Sequence, residues 1–452
     1  MEPLIPLSGI VGRVLRRGDE GYEHYRQWTC WHARVPARYP EAIVVATTDQ
    51  DVVGAVRLAR DEGLSIAVRS GGHSWGASHL RDGSVLIDMS NMRRTELDKD
   101  GMLLVAQPGV KGSEVTQMLA AEDLFFPTGH NEGISLGGYL LQGGYAWAGR
   151  DYGPACMSVV AIDAVTAEGE LVHASEEENA DLLWAARGSG AGFFAVVTRF
   201  YLKVYPRHPV TMTSTYVFPI ACAQDLVSFI HDVARDSPAE VIGLVRRDEE
   251  TGENRIMLSV TAFTDSVEDA RAQLEFYETF PRISEALHVD AYRETDHWTM
   301  THQASGDIDE TKRWIADNVA THAPAADMWP TLEKVIETFP PFPSHLAIFN
   351  WSGREGEPER PDMAFSVDDE LYYAIYSAWD DAADDEKWIS WTSGHTKEWE
   401  PFASGTMLAD ENLEFRPSDF VTPEKLRRLD EVRAVWDPNQ RFVSWLGRPD
   451  VA

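Results

Sequence analysis

The sequence predicts an α+β protein of two domains, on three observations. At 452 residues the chain is long for a single hydrophobic core. Its early part alternates short apolar runs with one helical pattern, and near Pro206 a glycine-rich texture gives way to apolar strand-like runs set between acidic segments.

The elements follow in order. Ile43 to Ala46 reads as a strand, and Thr48 then caps a helix whose Val52, Val53, Val56 and Ala59 recur at helical spacing until Gly63 ends it. Strands are predicted at Ile66 to Arg69, Val85 to Asp88 and Leu103 to Ala106. Val159 to Val165 and Leu171 to Ala174 flank an Ala167-Glu168-Gly169-Glu170 turn, a hairpin signal. Beyond Pro206 the strand-like runs are Thr211 to Val217, Ile256 to Ala262, Leu346 to Trp351 and Tyr372 to Trp379. Thr422 and Pro423 open a last helix with Leu426, Leu429, Val432, Val435 and Trp436 on one face.

Composition excludes several classes. The chain carries 73 acidic against 40 basic residues, a formal net charge of −33, and this field disfavours nucleic acid and anionic membranes as partners. No apolar run approaches a membrane span, and the N-terminal stretch lacks the basic and apolar regions of a leader. Cys30, Cys156 and Cys222 are too few and scattered for a disulfide framework, so a cytoplasmic protein is expected. No metal is assigned: His73 and His79 lack a third ligand nearby, and the acidic run Asp380 to Glu386 lacks the spacing of a calcium loop.

The densest chemical signal is Arg69-Ser70-Gly71-Gly72-His73-Ser74, directly after a predicted strand. Two glycines there let backbone N–H groups cradle a pyrophosphate, with Arg69, Ser70 and Ser74 adding hydrogen bonds. His73 stands at the edge of that cradle, where an imidazole can attack an electrophilic carbon of a bound cofactor. Between Pro127 and Gly153 lie eight glycines in twenty-seven residues, a density that permits close backbone approach to a ligand. Gly188 to Gly192 reads GSGAG but follows a helical run and precedes a strand, the reverse of a dinucleotide fingerprint.

Together these segments resemble the flavin-binding domain of the vanillyl-alcohol-oxidase superfamily. VLIDMSNM at 85–92, Gly109, RGSGAGFFAVVTRF at 187–200 and WDPNQRF at 436–442 fall in the family's order, and the RSGGHS form points to the berberine-bridge-like branch. The resemblance implies an FAD-binding domain of the PCMH type built from 1–205 and 405–452. A substrate domain, 206–404, would carry a largely antiparallel sheet and flanking helices. It also implies FAD joined covalently to His73. Many members add a second link through cysteine in a GHCPTVGLGG-like segment; here the segment reads GHNEGISLGG, with Asn131 at the cysteine's place, so a single covalent bond is expected.

By the same resemblance Pro127, Gly129, Gly133, Gly137, Gly138, Gly143, Gly144, Tyr152 and Gly153 shape the flavin site. Val197 offers backbone contacts to the adenine, Asn439 belongs to the closing segment, and Ile134 stands where oxygen access is controlled.

The implied activity is oxidation of a small organic molecule by hydride transfer, with molecular oxygen or another electron acceptor. Fifteen tryptophans, Trp298, Trp314, Trp329, Trp351 and Trp379 among them, tilt the substrate toward an aromatic or secondary-metabolite alcohol or amine. A carbohydrate oxidase, a flavin dehydrogenase and a non-catalytic flavin-binding protein are the competing readings. The family's tyrosine before the last helix is missing from GTMLADENLEF, which offers Asp410, Asn412 or Glu414 instead. Alternation places Tyr372, Ala374 and Tyr376 on one strand face and Tyr373 on the other, and Tyr376 or Tyr373 is the candidate pocket phenol. His130, His345 and Asn350 are further pocket candidates.

Overall fold

Three sheets of four or more strands carry the fold in this computed structural model, which describes residues 9–351 and 358–448. The first eight residues of the N-terminal stretch lie outside these. The first sheet holds β1 (Arg13–Arg16), β2 (Ala42–Val45), β3 (Ser65–Arg69) and β4 (Ser84–Asp88) in the order β1-β2-β4-β3. β4 pairs in parallel with both β2 and β3. Every residue of β2 and β4 is buried, which is why these strands read as unbroken apolar runs.

The helix Asp49–Glu62 leaves β2. Thr48 accepts the Asp51 N–H at its start, and Gly63, at φ 68°, closes it in the left-handed region. On its other side lies an antiparallel sheet of β5 (Thr95–Asp98), β6 (Leu103–Ala106), β7 (Val159–Val165), β8 (Leu171–Ala174) and β9 (Val196–Lys203), in the order β5-β6-β9-β7-β8. β7 and β8 form the expected hairpin, with Val165 opposite Leu171.

The end of the chain returns to this half. After the helix Pro423–Trp436, Ile66 of β3 exchanges backbone hydrogen bonds with Arg441 and Val443, and the Trp445 indole donates to the Ser189 carbonyl at 2.7 Å. Leu429, Val432, Phe442 and Trp445 thereby join the core that fills these two sheets.

The third sheet is antiparallel throughout: β10 (Val210–Pro219), β11 (Glu240–Arg247), β12 (Asn254–Thr264), β13 (His288–Thr295), β14 (Arg313–Thr321), β15 (His345–Phe349) and β16 (Leu371–Trp379). Their order is β13-β10-β12-β11-β15-β16-β14. One face packs on helices Ala223–Ala234, Ala325–Glu337 and Asp385–Trp399, and Tyr216, Phe218, Leu258, Ile348, Tyr373 and Trp399 belong to its core. The opposite face, with Leu244, Ala347, Phe349 and Tyr376, looks toward the first half of the molecule. No helix among the described residues is long and apolar enough to cross a membrane.

Candidate active site

A cavity of about 530 Å³ runs between the third sheet and the glycine-rich loops of the first half. The RSGGHS loop forms one wall. Arg69, at the end of β3, is locked by a buried ion pair with Asp88 at 3.0 Å and donates through Nε to the Thr29 carbonyl, also at 3.0 Å. Its guanidinium therefore braces the loop that lines the cavity. Gly72, at φ 75°, lies so close to Thr29 O that a side chain has no room.

The His73 imidazole lies parallel to the Trp31 indole, with ring centroids 5.0 Å apart and planes 2° from coincidence. Burial, aided by the positive charges of Lys111 and Arg69, pulls its pKa down to about 3. The ring is thus neutral near pH 7, the form whose nitrogen lone pair is nucleophilic.

The second wall is the loop after Pro127. A side chain at Gly133 would collide with His73 Nε2, so only glycine lets this backbone approach the ring. Asn131 holds the approach in place by accepting the Gly133 N–H on Oδ1 at 2.8 Å. Gly129, His130, Asn131, Ile134, Gly137 and Gly138 all line the cavity, as do Ser70, Gly71 and Ser74 opposite them, and Val197 lines it too. Cys156 lies outside it, buried against the Met363 sulfur at 3.9 Å, with its thiol pushed up to about 12 by burial.

Several expected contacts are corrected by the geometry. Pro127, Gly143, Gly144, Tyr152 and Gly153 do not line the cavity. The Pro127 carbonyl instead accepts the Tyr139 hydroxyl, Gly143 packs on the Phe365 ring, and Gly144 and Gly153 lie against Tyr139 and Met157. Tyr152 turns away to pack on Phe125 and Tyr205 and to hydrogen-bond His208 at 3.2 Å. Asn439 is exposed in the turn after the last helix; Phe442 and Val443 reach the cavity in its stead.

Opposite the glycine-rich loops, β16 presents Tyr376. Strand alternation sends Tyr373 to the helix-covered face, where its hydroxyl meets His231, so Tyr373 is removed from the site. Tyr376 donates to Asp410 Oδ2 at 2.9 Å, the Tyr372 hydroxyl donates to the same oxygen, and the Trp75 indole donates to Asp410 Oδ1 at 2.6 Å. Burial raises the Asp410 pKa against the pull of these three donors, and burial with the Asp410 charge raises both tyrosines well above their ordinary value. Asn412 is spent on Asp317 and Ser393, and Glu414 faces Arg38 at 3.9 Å, so of the three candidates in that segment Asp410 alone reaches the cavity.

His345 stacks on Tyr376 at 4.6 Å and donates from Nδ1 to the Pro343 carbonyl, leaving Nε2 as an acceptor. His130 meets Trp147 edge-on at 4.4 Å and lies nearly parallel to Trp351 at 6.0 Å. Burial lowers both histidines to about 4, so both are neutral. Asn350 is an interior group: Oδ1 accepts the Val241 N–H, and Nδ2 donates to the Ala234 and Ala239 carbonyls. The sequence reading missed Trp31 and Trp75, although Trp75 is only two positions past His73.

The chain resembles known proteins in sequence and in fold. Residues 40–175 match the family described as FAD binding domain. The FAD-linked oxidoreductase nodO of Hypoxylon pulicicidum is 32% identical over 439 residues, covering 95% of this chain and 96% of the relative. Among solved structures, a berberine-bridge-enzyme-like protein of Physcomitrella patens superposes with a TM-score of 0.85 at 18% identity over 99% of this chain and 98% of that one. The berberine bridge enzyme of Eschscholzia californica superposes with a TM-score of 0.81 at 17% identity, over 98% of each chain. These two likenesses show a shared fold.

Proposed function

Because the chain belongs to the FAD-linked oxidoreductases and shares the fold of berberine-bridge-like proteins, we propose that it holds FAD through one covalent bond to His73 and oxidises a small aromatic or secondary-metabolite alcohol or amine. We assign the flavin part to 1–205 and 405–452 and the substrate part to 206–404. Molecular oxygen is the proposed final acceptor. The residues fit the cofactor: a glycine-rich cradle lines the cavity, and a neutral imidazole stands where the Gly133 backbone approaches it. Bound FAD supplies the two-electron acceptor for the substrate's hydride.

The observation that carries the reading is the Tyr376–Asp410–Trp75 cluster facing the same cavity as His73. Tyr376 is protonated at working pH and takes up a substrate proton only as it gives up its own. Its hydrogen bond to Asp410 Oδ2 provides that outlet, and the proton leaving the substrate O–H or N–H ends on the Asp410 carboxylate. A carboxylate whose pKa is raised toward the operating pH is the better base for this step. The aromatic residues Trp31, Trp75, Phe349 and Trp351 around it favour a flat apolar substrate over a sugar.

Flavin absorbance that stays with the acid-precipitated protein tests the covalent bond. Anaerobic bleaching of that absorbance by a panel of benzylic alcohols, cyclic amines and oligosaccharides then tests the activity and its substrate class. Bleaching by oligosaccharides alone would favour a carbohydrate oxidase, and slow recolouring in air a dehydrogenase. No bleaching by any compound would favour a non-catalytic flavin protein.

A further inference from the structure

The cavity continues well beyond Tyr376, and strand register maps its roof. Passing from β16 through β15, β11 and β12 to β10, Tyr376 stands opposite His345; Ala347 opposite Leu244, and Leu244 opposite Met257; Phe349 opposite Ile242, Ile242 opposite Ser259, and Ser259 opposite Thr215. Thr213 and Thr261 pair in the next row. All of these side chains line the cavity. Four strand spacings of about 4.8 Å make this roof roughly 19 Å across.

Its chemistry changes along that length. The middle is apolar, through Ala347, Leu244, Ile242 and Met257, faced by Met300 and Ala304 of the helix His297–Gly306. That helix is pinned to the flavin-side loop, since Ser305 Oγ accepts the Glu132 N–H at 2.8 Å and the Thr128 hydroxyl meets His297 at 3.2 Å. The far end is a hydroxyl ladder, with Thr213 and Thr261 at 3.2 Å and Thr215 and Ser259 at 3.3 Å. Arg246 and Arg293, which also line the cavity, are paired with Asp307 at 3.2 Å and Asp290 at 3.0 Å. Their charges are compensated, so the lining does not call for an anionic ligand.

We propose that this arm is a second binding region that selects an elongated, uncharged, largely apolar substrate carrying a hydroxyl or carbonyl at the end remote from the reacting carbon. The inference rests on the proposed oxidation at Tyr376 for its orientation, but its test reads binding rather than turnover.

Calorimetric titration of the holoenzyme with benzyl alcohol, 4-hexyloxybenzyl alcohol and 4-(6-hydroxyhexyloxy)benzyl alcohol separates the parts. Both long probes are expected to bind at least about tenfold more tightly than benzyl alcohol, from burial of the six-carbon spacer. The hydroxyl-terminated probe is expected to bind more tightly than its methyl-terminated counterpart. Met257→Trp fills the middle of the arm and should reduce the long probes to the affinity of benzyl alcohol, leaving benzyl alcohol unchanged. Thr261→Val should erase the preference for the terminal hydroxyl by about three- to tenfold. Equal binding of all three by the unaltered protein, binding of none, or equal weakening of all by Met257→Trp would overturn the proposal. Failure of the oxidation reading shows separately, as flavin that no compound bleaches.

Discussion

The indole nitrogen of Trp75 donates to the Asp410 carboxylate at 2.6 Å, although 335 positions separate them in the chain. Through this bond the loop that bears His73 also holds the proposed base. Asp410→Asn keeps the shape but cannot take the proton from Tyr376, so we predict a fall of about 10²- to 10⁴-fold in the rate of anaerobic flavin reduction by substrate. Flavin content and acid stability should be unchanged. A variant reduced at the original rate would remove Asp410 from the mechanism.

Trp75→Phe removes one of three donors that favour the charged carboxylate, and so should raise the Asp410 pKa further. Activity needs the carboxylate and is lost as pH falls through that pKa. The acid limb of the kcat profile is therefore expected to move up by about 0.5 to 1 pH unit, one neutral hydrogen bond being worth about 1 kcal/mol. A purely structural tryptophan would lower kcat evenly at every pH and leave the limb in place.

For His73 the prediction concerns covalency. His73→Ala protein should release all its flavin on acid precipitation. Because burial holds the imidazole near a pKa of about 3, formation of the bond in apoprotein mixed with FAD should not be limited by imidazole protonation between pH 5 and 8. A rate that climbs tenfold per unit below about pH 6.5 and levels off above it would show that His73 titrates as an exposed histidine.

Gly133→Ala tests the same geometry from the other side. The added methyl group collides with His73 Nε2, while the backbone there does not need a positive φ. We expect the variant to fold and bind FAD non-covalently, with acid-stable flavin reduced by at least about tenfold, an sp³ overlap of this size costing about 1 to 3 kcal/mol to relieve. Full covalent incorporation would mean that His73 reaches the cofactor by another path.

Legibility of these features in the sequence followed their physical basis. The helix after Thr48, the 159–174 hairpin and the last helix have their own caps, turns and apolar periodicity, and each forms where those signals stand. Only four of the seven strands of the third sheet were visible. β14 buries Asp317, Asn318 and Thr321, satisfied by distant partners such as Arg416, so its run RWIADNVAT lacks apolar alternation. β13 is too exposed to need such alternation. The flavin loops were readable because their glycines and His73 are contiguous. Asp410 emerged only as one of three acidic or amide candidates, since choosing among them requires knowing which side chain turns toward β16. Trp31 and Trp75 carry no local signal, and only the fold brings them to His73 and Asp410.

Glu240 supplies a stability prediction away from the chemistry. It opens β11, is 5% exposed, and lies against the backbone of Ala148 and Gly149 near Asp151. Burial, reinforced by Asp151, pushes its pKa up to about 8, against the pull of those backbone amides and Arg150. An acid with a raised folded pKa stabilises the fold least where it must ionise. Its contribution is fully present below the unfolded value near 4.5 and is lost as pH rises toward about 8. Glu240→Gln retains the neutral shape without the ionisation. Its melting temperature should match that of the unaltered protein near pH 4.5 and exceed it increasingly up to pH 8, where the gain is of order 2 to 4 kcal/mol. Parallel melting curves across that range would show that Glu240 is ionised in the folded protein, with a cation or water compensating its charge.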